Sequence, residues 1–254
     1  MYNKVMKITI LAENNSRIDN YLLSEPAFSL FIEHGSKKIL FDTGYSDVFI
    51  QNAQKLGVDL EIVTDIVLSH GHNDHTRGLC FLKLNNKNIK FTAHPNIFDE
   101  KIGEDKIHYG CPISKEELEK NYDLNLMRNV YNLCEDLIFL GEIENNKTID
   151  LDDSALVYIM QKGLFIITGC SHSGIINIVN YAKKVTGIGK IWGILGGFHL
   201  VNKKDDEIEV ISKFFEDEKI EFLAPCHCCD LNSKIILSKR NKIKDICTGD
   251  VLNI

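Results

Sequence analysis

Apolar and polar positions fall in short blocks that switch between a period of two and a period near 3.6, so strands and helices are expected to interleave along the chain. Strand patterns cover residues 5–11, 28–33 and 38–41, the last two reading as a hairpin around His34-Gly35-Ser36. Ser46 is expected to cap a helix through Lys55, closed by Gly57. The strand at 62–69 has a mostly apolar second half, as in a buried sheet position. Residues 74 to about 84 read as a helix, and 89–93 as a short strand. Further strands are expected at 137–143, 155–160, 164–168, 190–195 and 221–224, with helices at 174–184, 205–218 and 231–240.

Residues 95–136 break this rhythm. They are more polar, and their one helical run, 114–120, opens with a Ser-Lys-Glu-Glu cap. The segment is expected to be an insertion or cap within a single domain spanning 1–254. The interleaving itself is the grammar of an α/β protein, with strands in two sheets and helices covering them. A doubly wound dinucleotide fold is disfavoured. Gly193-Ile-Leu-Gly-Gly197 lacks the G-x-G-x-x-G spacing, and Gly-Lys followed by Ser or Thr does not occur.

Composition narrows the classes of function. The 254 residues, 44% hydrophobic and 26% charged, are ordinary for a globular protein and exclude collagen-like or disordered readings. A net charge of -7 argues against a general nucleic-acid binder. No run approaches the roughly 18 apolar residues of a membrane span. The first residues lead straight into alternating sequence without a signal-peptide core, so a cytoplasmic location with no membrane partner is expected. The oligomeric state is not readable. The 8 cysteines are scattered and are expected to be mostly buried, reduced thiols.

Chemistry concentrates where the 62–69 strand ends, in Ser69-His70-Gly-His72-Asn-Asp74-His75. An H-x-H-x-D-H arrangement arises by chance about once in a thousand such chains. In an extended loop His70 and His72 point to one side and can converge on one metal. As the chain turns into a helix, Asp74 and His75 swing away, where a second metal can sit. Two other apolar strands also run into histidines, Thr168-Gly-Cys-Ser-His172 and Ala224-Pro-Cys226-His227. The expectation is three ligand loops at one sheet edge, at strand carboxyl ends where α/β sheets usually build sites.

These motifs resemble the metallo-β-lactamase superfamily. His70-Gly-His72-Asn-Asp74-His75 matches its central motif, Asp42 in Phe41-Asp42-Thr-Gly44 the early one, and His172 and His227 the later ones. Gly169-Cys170-Ser171-His172-Ser-Gly174, Gly196-Gly-Phe-His199-Leu200, His227-Cys228, Gly110-Cys111-Pro112-Ile113-Ser114 and Leu140-Gly141-Glu142-Ile143 are similar to one branch, the dihydropterin-ribofuranosylaminobenzene phosphate synthase-like proteins. The resemblance implies a four-layer αββα sandwich with a dinuclear metal site. His70, His72 and His172 would hold the first ion, and Asp74, His75 and His227 the second, with Asp42 hydrogen-bonding a ligand.

The bridging aspartate common in the superfamily has no counterpart in the stretch 192–200, where His199 stands instead. Its role is left open between substrate contact or proton donor, ligand, and structural residue. One carboxylate among neutral imidazoles leaves two divalent ions with a net charge of about +3, which favours an anionic substrate and weakens the second ion. Zinc is the default for such ligands, while iron and manganese fit the same residues. Arg77 is a candidate anion contact, His108 a candidate substrate contact reaching from the insertion, and Cys228 a wall residue. The implied activity is hydrolysis, with a metal-bound hydroxide attacking an ester or phosphoester centre of a small anionic substrate and His199 or a metal-bound water protonating the leaving group. Alternatives are a condensing synthase of the branch type and a non-enzymatic metal-binding or redox-sensing protein that uses the cysteines of 226–229.

Overall fold

The computed structural model describes residues 5–86, 88–103, 105–143 and 151–254. Among the described residues the chain forms a seven-stranded and a six-stranded sheet. It divides into two compact units, residues 1–127 with 247–254, and residues 128–246.

In the first unit β1 (Lys7–Ala12) pairs antiparallel with β2 (Ser29–His34) and with the closing strand β13 (Val251–Asn253). The expected hairpin joins β2 to β3 (Lys37–Phe41). From β3 onward β4 (Asp65–Val67), β5 (Lys90–Ala93) and β6 (Asp123–Leu126) run parallel. Helix α1 (Val48–Leu56) buries Phe49 and Ala53, spaced four apart, in a core cluster with Leu11, Leu40 and Ile66. Gly57 closes it at φ 68°, the left-handed conformation open to glycine. The cap is Asp47, one residue after the expected Ser46, whose hydroxyl still accepts the Val48 N–H at 3.2 Å.

Two expectations fail here largely because residues distant in the chain take the hydrogen bonds the elements would need. The expected strand 62–69 is regular only over β4: a 3₁₀ turn occupies Leu60–Ile62 before it, and beyond it Ser69 N–H turns to the Asp42 carboxylate at 2.7 Å. The helix expected at 74–84 is instead α2 (Asn73–Thr76) followed by a 3₁₀ turn over Arg77–Cys80. A longer α-helix needs the carbonyls of Asp74 and His75 as acceptors. Phe28 N–H takes the first at 3.2 Å, and Thr43 N–H and its hydroxyl take the second at 2.7 and 3.0 Å. Within the 95–136 segment, α3 (Lys115–Glu119) is capped by the Ser114 hydroxyl as expected, and β6 hydrogen-bonds to β5.

The second unit begins with an antiparallel succession of β7 (Tyr131–Cys134), β8 (Leu137–Phe139), β9 (Ala155–Met160) and β10 (Gly163–Thr168). It turns parallel across β10, β11 (Ile191–Gly196) and β12 (Phe222–Pro225). Helix α4 (Ile175–Thr186) buries Ile175, Ile178, Val179 and Ala182, one stripe at 3.6-residue spacing. Helices α5 (Asp205–Asp217) and α6 (Leu231–Ser238) add Ile208, Phe215, Ile236 and Leu237 to the same core. Each fully buried aliphatic side chain contributes about 1.5–3 kcal/mol. No helix among the described residues is long and apolar enough to cross a membrane.

The candidate loops therefore do not share one sheet edge. Those of Asp42 and His70 follow β3 and β4 of the seven-stranded sheet, whereas those of His172, His199 and His227 follow β10, β11 and β12 of the six-stranded sheet. Alternation along a strand reports which face is buried but not which sheet the strand joins. In both sheets the loops leave the carboxyl ends of parallel strands.

Candidate metal centre

In the first unit the site is organised by Asp42, fully buried at the end of β3. Its carboxylate accepts from Ser69 N–H, from the Ser69 hydroxyl and from His75 Nδ1, all at 2.7 Å. The Ser69 oxygen in turn lies 2.9 Å from His70 Nδ1. The hydroxyl proton is already given to Asp42, so His70 donates to that oxygen. A carboxylate only accepts, so His75 donates to Asp42. Both tautomers follow from the network: Nδ1 carries the proton and Nε2 the lone pair a metal needs.

The His70 ring lies 4.6 Å from that of His72 and 4.3 Å from that of His75, so the three imidazoles form one group. Asp74 Oδ2 is 3.6 Å from His75 Nε2. Gly78 makes this packing possible, since a Cβ there would stand 1.9 Å from the Thr43 carbonyl oxygen. Tyr109 sets its ring against His72 at 5.0 Å, and its carbonyl accepts the Asn73 N–H at 2.7 Å. A cavity of about 380 Å³ opens beside His72 and Asp74, with Tyr45, Tyr109 and Pro26 in its wall. His108 is exposed, 3.7 Å from a Glu100 carboxylate oxygen, and lines a different cavity that it shares with Arg77.

In the second unit the loops after β10 and β11 are pinned to Gly197. Its carbonyl accepts from the Thr168 and Ser171 hydroxyls at 3.0 and 2.6 Å, and its N–H bonds Gly169 O at 2.9 Å. The His172 and His199 rings lie 4.6 Å apart. Cys170 Sγ is within 4.8 Å of a ring nitrogen of His172 and of one of His227, which makes this thiol a further candidate donor. Cys228 passes close to Gly197, where a Cβ would come within 2.5 Å of its sulfur, and it accepts the His199 N–H at 3.2 Å.

Burial opposes ionisation of Cys228. Hydrogen bonds with Cys170 and the His199 ring, the charge of His227 and the His199 N–H outweigh it and hold this thiol well below the ordinary range. Cys229 is pushed the other way by its own burial and by the Cys228 charge. Asp153, fully buried, accepts from the Ser173 N–H at 2.8 Å and from the Ser173 hydroxyl, next to His172. Desolvation raises its pKa to about 6, against the lowering effect of those bonds.

Four site positions adopt left-handed backbone without being glycine: Asp42 at φ 53°, Ser171 at 63°, His199 at 54° and His227 at 51°. Such strain concentrates at functional sites, where surrounding bonds over-determine it. Tyr109, Cys170 and Asp153 are absent from the sequence-based candidates. A lone aromatic or thiol in a loop has no spacing signal, although the position of Cys170 two residues before His172 is visible in hindsight.

Residues 24–124 match the sequence model of the metallo-beta-lactamase superfamily. The chain is 31% identical over 262 residues to an uncharacterized protein of Methanocaldococcus jannaschii, covering 97% of this chain and 100% of that one. It is also 31% identical over 256 residues to the 7,8-dihydropterin-6-methyl-4-(beta-D-ribofuranosyl)-aminobenzene-5'-phosphate synthase of the same organism, covering 88% of this chain and 87% of that one. A crystal structure described as a metal-dependent hydrolase of the beta-lactamase superfamily is 31% identical, with a TM-score of 0.84 over 98% of this chain and 99% of the other. Two mixed sheets flanked by helices are the fold shared with that structure, as the motifs led us to expect.

Proposed function

From its place in the metallo-β-lactamase superfamily, to which this chain belongs, we propose that it is a metal-dependent hydrolase acting on an ester or phosphoester centre of a small anionic substrate. The observation that carries this reading is the bond chain from Asp42 through Ser69 to His70, and from Asp42 to His75, which turns two neighbouring Nε2 lone pairs into ready donors. Three imidazoles and one carboxylate within six residues suit a borderline divalent ion such as zinc, and iron or manganese as well. By the superfamily motif, His70, His72 and His172 are assigned to one ion, and Asp74, His75 and His227 to a second. When bound, such ions supply Lewis acidity and make water a nucleophile near neutral pH.

The chain's own residues supply the rest. Tyr45, Tyr109 and Pro26 wall the approach to His72 and Asp74. His199, seated over His172, exchanges a proton with the leaving group. Asp42 holds the ligand tautomers without touching substrate. Replacing His72 by Ala should abolish both bound metal, read by elemental analysis, and turnover on an ester and phosphodiester panel. Full activity of thoroughly chelated protein would reject the reading.

A second reading is favoured by the similarity to the Methanocaldococcus jannaschii synthase over most of both chains. In it the same residues bring two substrates together, and an amine or carbon nucleophile of the aminobenzene displaces the diphosphate of the dihydropterin, which leaves as inorganic diphosphate with loss of a proton. Incubation with a dihydropterin diphosphate and an aminobenzene ribofuranosyl phosphate separates the two. A coupled product supports the synthase, and cleavage of generic phosphodiesters without coupling supports the hydrolase.

A further inference from the structure

Two adjoining cavities of the first unit have room for more than the reacting centre. One, of about 380 Å³, carries His72 and Asp74 in its wall with Pro26 and Tyr109. The other, of about 410 Å³, is lined by Arg77, Lys101 and His108. Tyr45 and Asn73 belong to both, so the two meet across these side chains.

Arg77 is the fixed cation of this trough. One guanidinium N–H donates to the Tyr45 carbonyl at 3.1 Å, and the guanidinium carbon lies 4.5 Å from the Tyr45 ring centre and 5.7 Å from that of Phe81. Among the described residues no carboxylate forms an ion pair with it. A guanidinium offers five N–H donors, so four remain for a ligand, and a side chain already stacked loses little freedom on binding one. The acids on the same wall are Asp99 and Glu100, and the Glu100 carboxylate faces His108 at 3.7 Å. The other end of the trough is aromatic, with Tyr109 fixed by its contact to His72.

We propose that this trough recognises the non-reacting part of the substrate: a planar ring lies against Tyr45, Tyr109 and Pro26, and a phosphate or carboxylate attached to it is held by Arg77. The substrate class is thus a ring compound with an anionic tail. The assignment rests on the reading above only for where the reacting centre lies.

The test is calorimetric titration of the full-length protein, as purified and after chelation, with benzylphosphonate, methylphosphonate, phenylacetate and acetate. The aryl probes should bind about tenfold tighter than their alkyl counterparts, and tighter binding of either head group supports the trough. Arg77→Gln should weaken both aryl probes about tenfold or more, with Arg77→Lys restoring part of the loss and metal content unchanged. Tyr109→Leu should erase the aryl preference while leaving acetate and methylphosphonate as they were. Equal affinity within both pairs, benzylphosphonate with methylphosphonate and phenylacetate with acetate, or binding indifferent to Arg77, overturns the proposal. Because the contrasts are read in chelated protein too, they survive a failure of the metal assignment. Binding that vanishes on chelation and ignores Arg77 sinks the trough alone.

Discussion

His75 Nδ1 and Asp42 Oδ2 lie 2.7 Å apart with both side chains fully buried. The pair joins two loops that leave neighbouring parallel strands, and it decides which imidazole nitrogen faces outward as a donor. Asp42→Asn keeps the size and tolerates the left-handed backbone but loses an acceptor. It should weaken metal binding about 10- to 100-fold, measured by competition with a chromophoric chelator. Unchanged affinity would mean that Asp42 shapes the loop without tuning the ligand.

Gly78→Ala probes the short helix that carries the motif. The new methyl group would meet the Thr43 carbonyl at 1.9 Å and a Phe49 ring carbon at 2.9 Å. Stability should fall by about 1–3 kcal/mol in urea unfolding, with metal content falling alongside. A variant as stable as the parent would show that the Thr43–His75 contact gives way at little cost.

His199→Gln addresses chemistry apart from ligation. It should keep the metal content of the parent and lower kcat about 100-fold or more. Loss of metal in equal measure would make His199 a ligand instead.

Asp153 predicts a pH dependence. Its folded-state pKa is raised from 3.8 to about 6 by burial. The folded protein therefore binds the extra proton between those values, and stability falls as pH rises from about 4 to about 6. At about 1.4 kcal/mol per unit, the loss is on the order of 3 kcal/mol. Asp153→Asn should flatten that slope, measured by denaturant unfolding of chelated protein at pH 4.5 and 7. An unchanged slope would assign it to other groups.

How much of this was legible beforehand depends on the range of the physics involved. The candidate ligand loop at 70–75 stood out, because four possible donors in six residues are a local pattern. So were the long helices, where Ile175, Ile178, Val179 and Ala182 repeat at helical spacing. The truncation of the helix after Thr76 was hidden, because its cause lies in Phe28 and Thr43, far away in the chain. β6 and β7 went unread because they are four residues long and mostly half-exposed, too short for even the alternation of Asp123-Leu124-Asn125-Leu126 to stand out. Tyr109 lost out to its neighbour His108 because histidine advertises chemistry, whereas the wall of a cavity is known only once the cavity has formed.

The left-handed backbone at Asp42, Ser171, His199 and His227 also limits how this protein can be re-engineered. In a library randomised at these codons, valine, isoleucine and threonine would drop out on torsional grounds before any selection for catalysis began. Asparagine and glycine would be over-represented among the survivors even where they do nothing for turnover. Enrichment counts at these sites would then report folding first and chemistry second.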